Sequence, residues 1–340
     1  MKSLVLDKNC NLVMQDCPIP HIKKDEVLVK VIACGICKTD VDMYKGKAGA
    51  GKVSLPIILG HEFSGVVVRV GSYVTGIHIG AHVSVNPLKS CGKCKYCKKG
   101  MPQFCKKRIV YGTNKDGGMA EYCAVDYRQI YILENSMSFA ESTLAEPLGC
   151  CIHAIDKLRN GLCGIKQVVV IGGGTLGTLL LQILINNRVE KIVVIEPNKI
   201  KQKRAMAIGA TSAVSPYDSD IIASMNINGM DWVDAVFDCV CSKNTLNLAC
   251  SIVRRCGEII LVGIPEISVS NTIDSFNIFR KEIVITGSCL NANCHGLALS
   301  YLSSGYINSK CIIEKIIPFR EIISMYEQYD SYNGKIVVML

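Results

Sequence analysis

The sequence predicts an α/β protein built from a β-rich part and a doubly wound parallel sheet. Three observations carry this. Up to about residue 135 the chain consists of short β-branched runs broken by Gly, Pro and Asn. From about 166 onward, strand-like runs alternate with helix-like stretches, the rhythm of βαβ units. After about 290 mixed elements return, and the chain closes on the strand-like Lys335-Ile336-Val337-Val338-Met339. The chain has 340 residues, enough for two domains that each bury a core.

In the first part, Glu26–Ile32 and Ser64–Val70 read as strands. In the second, Gln167–Ile171, Lys191–Ile195, Trp232–Phe237 and Glu258–Val262 do. Residues 167–187 carry no charge and approach the length of a membrane span. However, β-branched Val168–Ile171 followed by Gly172, Gly173, Gly174 and Gly177 reads better as strand, turn and helix, so no membrane contact is expected. Ser3–Leu6 is too short for the core of an export signal, and the expected location is the cytoplasm. The 19 cysteines then read as reduced thiols, some of them metal ligands.

Cys91, Cys94, Cys97 and Cys105 follow C-x2-C-x2-C-x7-C, flanked by Pro87, Gly92, Gly100 and Pro102. Tetrahedral Zn²⁺ takes four thiolates at about 2.3 Å, and such gaps let a loop present them to one ion. The same lobe carries Lys89, Lys93, Lys95, Lys98, Lys99, Lys106, Lys107 and Arg108. A zinc-ribbon reader of nucleic acid is one interpretation. Lysines offsetting the −2 charge of a Zn(Cys)4 centre is the other. The net charge of +9 is modest and aromatics are only 6%, so the second is preferred and no nucleic-acid partner is expected.

A second set of donors is scattered. His61 and Glu62 stand together in Leu59-Gly60-His61-Glu62. Upstream, Gly35-Ile36-Cys37-Lys38-Thr39-Asp40 offers a thiolate, a hydroxyl and a carboxylate able to orient an imidazole. Glu146 sits among apolar residues in Leu144–Leu148, where a buried carboxylate needs a cation or a water. Gly172-Gly173-Gly174-Thr175-Leu176-Gly177 contains G-x-G-x-x-G between a strand-like and a helix-like run. Glu196 ends the next strand, 24 residues after Gly172. That context fits a dinucleotide, its pyrophosphate on the helix N-terminus and its adenosine ribose on Glu196.

Taken in order, G-I-C-x-T-D, G-H-E, the four-cysteine lobe, Asp116–Tyr122 (D-G-G-x-A-E-Y), E-P-L and G-x-G-x-x-G resemble the zinc-dependent medium-chain dehydrogenase/reductase superfamily, and within it the polyol branch of sorbitol, threonine and sugar-alcohol-phosphate dehydrogenases. The resemblance spans nearly the whole chain. It implies a GroES-like catalytic domain over 1–147 and 290–340, with a structural zinc lobe at about 87–108, and a Rossmann domain over 148–289. It implies two Zn²⁺ per chain. Cys37, His61 and Glu62 would hold the catalytic ion, with Glu146 as fourth ligand directly or through a water. Cys91, Cys94, Cys97 and Cys105 would hold the structural one. Thr39 would relay the alcohol proton and Asp40 would steady His61. Gly172, Gly174, Thr175, Leu176, Gly177, Glu196, Lys201 and Val262 would bind NAD, with Lys38 near its pyrophosphate.

The implied activity is hydride transfer between a secondary alcohol and NAD, in a homodimer or homotetramer acting on a small-molecule alcohol or ketone. A threonine-type amino alcohol is the alternative substrate, and a non-catalytic zinc-ribbon protein a remote one. Leu290-Asn291 replaces the Arg-Tyr pair of the sorbitol enzyme's pocket, and Met43 replaces a pocket tyrosine, so sorbitol itself does not follow from the resemblance.

Overall fold

The computed structural model describes residues 1–47, 53–218, 221, 233–265 and 275–340. These form two compact units. The first comprises Met1–Gly149, Asn291–Gly305 and Ile313–Leu340, and the second Cys150–Leu290 and Tyr306–Ile312.

The first unit is organised around Glu26–Ile36, an eleven-residue strand with nine buried positions. It is buried on both faces because it is central. Antiparallel neighbours Glu62–Val70, Tyr122–Asp126 and Lys335–Met339 all pair with it. His82–Val85 and Ile130–Ile132 extend the seven-stranded sheet on one side, and Ile313–Pro318 extends it beyond Lys335–Met339. A smaller sheet joins Lys2–Leu6 to Leu12–Asp16 and Ile57–Ile58. Leu4, Leu6, Val29, Val31, Phe63, Val83, Tyr111, Tyr326 and Ile336 belong to one continuous core. Each of the aliphatic and phenylalanine side chains among them contributes roughly 1.5–3 kcal/mol when fully buried.

The second unit is the expected parallel sheet, six strands in the order Ser212–Val214, Lys191–Ile195, Gln167–Ile171, Val233–Asp238, Val253–Leu261, Val284–Gly287. Trp232, read as part of the fourth strand, lies outside the described residues. The uncharged run resolves into the strand Gln167–Ile171, a glycine turn and the helix Thr175–Asn186. Side chains alternate along a strand. Val169 and Ile171 pack with Leu246, Ala249 and Ile252 of the helix Lys243–Ile252, while Val170 faces Gly177 of the helix Thr175–Asn186. Helices therefore cover both faces of this strand, which is why Val168–Ile171 is an unbroken apolar run. Among the described residues no helix is long and apolar enough to cross a membrane. All 19 cysteines are free thiols.

Candidate functional site

Strand register explains how distant donors meet. Gly35 pairs with Glu62 across the sheet, and Ile36 pairs with Ile336. Cys37 leaves the end of its strand where Glu62 begins the neighbouring one, with His61 just before it. The three ligating atoms of Cys37, His61 and Glu62 lie within 4.8 Å of one another, one sulfur, one nitrogen and one oxygen. Gly35 leaves the room: a Cβ there would sit 2.2 Å from Glu62 Oε2.

Asp40, in the helix Lys38–Tyr44, organises the group. Fully buried, it accepts the Cys37 backbone N–H through Oδ2 at 3.0 Å and pairs with His61 Nδ1 through Oδ1 at 3.1 Å. A carboxylate on Nδ1 leaves Nε2 as the ring's outward donor atom, the usual arrangement behind a metal-bound imidazole. Burial alone would suppress a charged His61, but Asp40 and the Cys37 thiol outweigh it and hold the imidazole well above its ordinary range. The site thus attracts positive charge. Thr39 is partly buried in the first turn of the same helix. Lys38 is exposed and ion-paired with Asp42.

Lys335, which the sequence offered only as the first residue of the last strand, completes the surroundings. Its ammonium donates to Glu62 Oε1 at 2.7 Å and Oε2 at 2.6 Å. Burial disfavours its charge, yet Glu62, Cys37 and Tyr329 more than offset that and raise it above the usual lysine range. The only signal in the sequence was a lysine heading an apolar strand. Glu146, buried in the first turn of the helix Ala145–Ile155, is not among the three grouped donors.

Cys91, Cys94, Cys97 and Cys105 form a second group within the same 4.8 Å limit. Sγ of Cys97 lies 3.5 Å from that of Cys94 and 3.9 Å from that of Cys91, and the Cys91 N–H donates to Cys105 Sγ at 3.3 Å. The Cys97 backbone N–H, with Tyr96 N–H, brings the Cys94 thiol down to about 6, whereas burial pushes Cys105 up to about 11. Four thiols this close, with no disulfide, suit a tetrahedral ion. Lys93, Lys95, Lys98, Lys99, Lys106 and Lys107 are exposed around them, and Lys89 pairs with Asp126 at 2.7 Å.

In the second unit, Gly174 caps the helix Thr175–Asn186, and a Cβ on Gly174 would meet nothing within 4 Å. The helix N-terminus is therefore open to a phosphate. Gly177 is required for packing, since a Cβ there would fall 1.8 Å from the Gly172 carbonyl. Glu196 follows the next strand and is buried. Its Oε2 accepts the Gly173 N–H at 2.7 Å and its Oε1 the Asn198 N–H at 2.9 Å. The carboxylate is thereby fixed beside the glycine turn. Lys201 is partly buried in the first turn of the helix Lys199–Ile208. Val262 is buried directly after its strand, and its N–H donates to Asp238 O at 2.8 Å.

Residues 23–135 match the family model of the alcohol dehydrogenase GroES-like domain, and 175–301 that of the zinc-binding dehydrogenase. L-threonine 3-dehydrogenase of Pyrococcus abyssi is 31% identical over 97% of this chain and 94% of its own. This chain belongs to the zinc-dependent alcohol dehydrogenase family. D-arabinitol dehydrogenase 1 of Uromyces fabae is 28% identical over 94% of this chain and 91% of its own. A zinc-binding dehydrogenase from Sinorhizobium meliloti 1021, solved bound to NADP, superposes with a TM-score of 0.90 at 29% identity, covering 100% of this chain and 99% of that one. As a zinc-dependent alcohol dehydrogenase, the chain is an oxidoreductase with metal and nicotinamide cofactors. Among the described residues a third group, His153, Asp156 and Cys294, also brings three possible ligand atoms within 4.8 Å of one another.

Proposed function

We propose that this dehydrogenase interconverts a secondary alcohol, of the polyol or sugar-alcohol class with or without a phosphate, and the corresponding ketone, with NAD as hydride acceptor. The reading is carried by one observation: three donors of different chemistry within 4.8 Å, ordered from behind by a buried carboxylate. Cys37, His61 and Glu62 hold the catalytic zinc. Glu146 completes its surroundings directly or through a water. When bound, the metal acts as a Lewis acid that acidifies a hydroxyl. Asp40 keeps His61 in the tautomer that presents Nε2. Thr39, two residues after Cys37, takes the substrate's hydroxyl proton and passes it outward. NAD, when bound, would supply the hydride-accepting chemistry, which is the cofactor's own. The four-cysteine lobe holds a structural zinc.

Gly172, Gly174, Thr175, Leu176 and Gly177 would receive the pyrophosphate, Glu196 and Lys201 would take the adenosine ribose, and Val262 would belong to the same cofactor site. NAD is preferred over NADP because Glu196 is pinned by two backbone N–H groups and cannot easily swing away from a 2′-phosphate. The Sinorhizobium relative bound to NADP makes this worth testing directly. Wild type should favour NAD⁺ by at least about tenfold in kcat/KM, about 1.4 kcal/mol, and Glu196→Ser should shrink the ratio. Equal use of both cofactors would refute Glu196 as the determinant.

Substrate class is decided by following NADH absorbance with polyols, polyol phosphates and amino alcohols. An amino alcohol is the second reading, favoured by the 31% identity to a threonine dehydrogenase. A polyol or polyol phosphate as best substrate supports the first reading, and L-threonine the second. The buried Met43 and the positions Leu290 and Asn291 favour a substrate other than sorbitol. We place it in the cytoplasm, because 19 cysteines in a chain large enough to build its core without disulfides read as reduced thiols. Exposed Phe276 and Phe279 support a homodimer or homotetramer, which light scattering would test.

A further inference from the structure

Lys335 provides the metal centre with a cation of its own. Its ammonium spends all three hydrogens inside the protein, on Glu62 Oε1 at 2.7 Å, Glu62 Oε2 at 2.6 Å and the Ile36 carbonyl at 3.1 Å. Lys335 is 3% exposed and Glu62 1%, so water is not an alternative partner for either. Asp40, equally buried, adds a second carboxylate to the neighbourhood.

A buried charge persists only when it is paired. A bound metal would pair Glu62 by itself, so Lys335 is dispensable to the carboxylate while an ion is present. When no ion is present, Lys335 is the cation to which both Glu62 oxygens are bonded. With both oxygens engaged, an incoming ion must also share Glu62 with the ammonium, or displace it from one oxygen. Cys37 and His61 are held by Asp40 from behind, and the three hydrogen bonds of the ammonium go to neither of them.

We propose that Lys335 is a built-in counter-cation. It keeps Glu62 in its metal-facing position while the site is empty, and it competes with the metal for Glu62 when the site is filled. Lys335 is thus a positioning residue that tunes metal affinity downward and makes Glu62 the most easily surrendered of the three donors. The inference rests on the reading of Cys37, His61 and Glu62 as the catalytic zinc site.

The test uses the full chain at one fixed pH, as wild type, Lys335→Met and Lys335→Met/Glu62→Gln. Zinc affinity at the second site is measured by competition with a chromophoric chelator. Tm is measured with two zinc ions per chain and after depletion to one. Lys335→Met should bind the second zinc at least about tenfold more tightly, and its Tm should fall further in the depleted form than in the loaded form. The double variant should regain much of the depleted-form Tm, because no orphan charge remains. Unchanged or weaker zinc binding in Lys335→Met, or an equal Tm loss in both forms, would make Lys335 a packing residue and overturn the proposal. If Lys335→Met is insoluble, a soluble double variant supports the proposal and an insoluble one overturns it. A wild type that binds a single zinc would instead overturn the metal-centre reading itself.

Discussion

Replacing Asp40 by Asn keeps the shape of the side chain and removes one of its two functions. In the native chain, Oδ1 and Oδ2 each accept, from His61 Nδ1 at 3.1 Å and from the Cys37 N–H at 3.0 Å. An asparagine has a single acceptor oxygen, and its NH2 can only donate. One of those two N–H groups must therefore face a donor. The residue is completely buried, so no water can relieve the conflict. An unsatisfied buried donor costs about 1–3 kcal/mol, and losing the charge weakens the remaining bond by about a factor of two. Outer-shell partners of metal-binding histidines typically control about 10–100-fold in affinity or activity, about 1.4–2.7 kcal/mol, which agrees with the first figure. Asp40→Asn should lower kcat/KM for NADH formation about 10–100-fold and weaken zinc binding at Cys37 to a similar degree. NADH binding, followed by nicotinamide fluorescence, should not change. If both activity and zinc affinity stay within about twofold of wild type, Asp40 does not orient the metal ligands and the argument for its role is wrong.

Three further outcomes are expected. Cys97→Ser, at the centre of thiols 3.5–3.9 Å apart, should lose one zinc per chain and lower Tm, because that lobe has little core besides its ion; a wild-type Tm with the full zinc complement would contradict it. Gly177→Ala forces a Cβ to within 1.8 Å of the Gly172 carbonyl and should weaken NADH binding at least about tenfold, about 1.4 kcal/mol, in a fluorescence titration; unchanged affinity would contradict it. Burial brings His295 down to about 3, so it stays neutral in the folded chain while the unfolded chain takes up a proton near 6.5. Its contribution is intact above about 6.5 and is lost as pH falls toward about 3, at up to about 1.4 kcal/mol per pH unit. The difference in unfolding free energy between pH 7 and pH 4 should therefore shrink in His295→Asn, and an unchanged difference would refute the assignment.

Local pattern made much of the fold legible. The final strand, Lys335–Met339, and the strand–turn–helix after Gln167 fall where alternation and glycines placed them. The central strand runs four residues further than its β-branched core suggested, to Ile36, because three neighbours pair with it and propensity at Ala33–Gly35 no longer decides. Cys37 and His61 could be nominated from short motifs, but their proximity depends on the pairing of Gly35 with Glu62, which no local window contains. Lys335 was illegible as part of the site for the same reason. It is 273 residues from Glu62, and only the register of Ile36 against Ile336 brings it there. The anchoring of Glu196 by the Gly173 N–H was equally hidden, since periodicity places a side chain at a strand end without saying which donor holds it.

The central claim is that Cys37, His61 and Glu62 form a catalytic zinc site separate from the four-cysteine lobe. Zinc per chain, measured on wild type and Cys37→Ser and set against NADH formation from each sample's best alcohol, tests it most directly. The account predicts two zinc ions in active wild type, and one in a folded Cys37→Ser that makes no NADH. One zinc in fully active wild type, or two in an inactive Cys37→Ser, would contradict it.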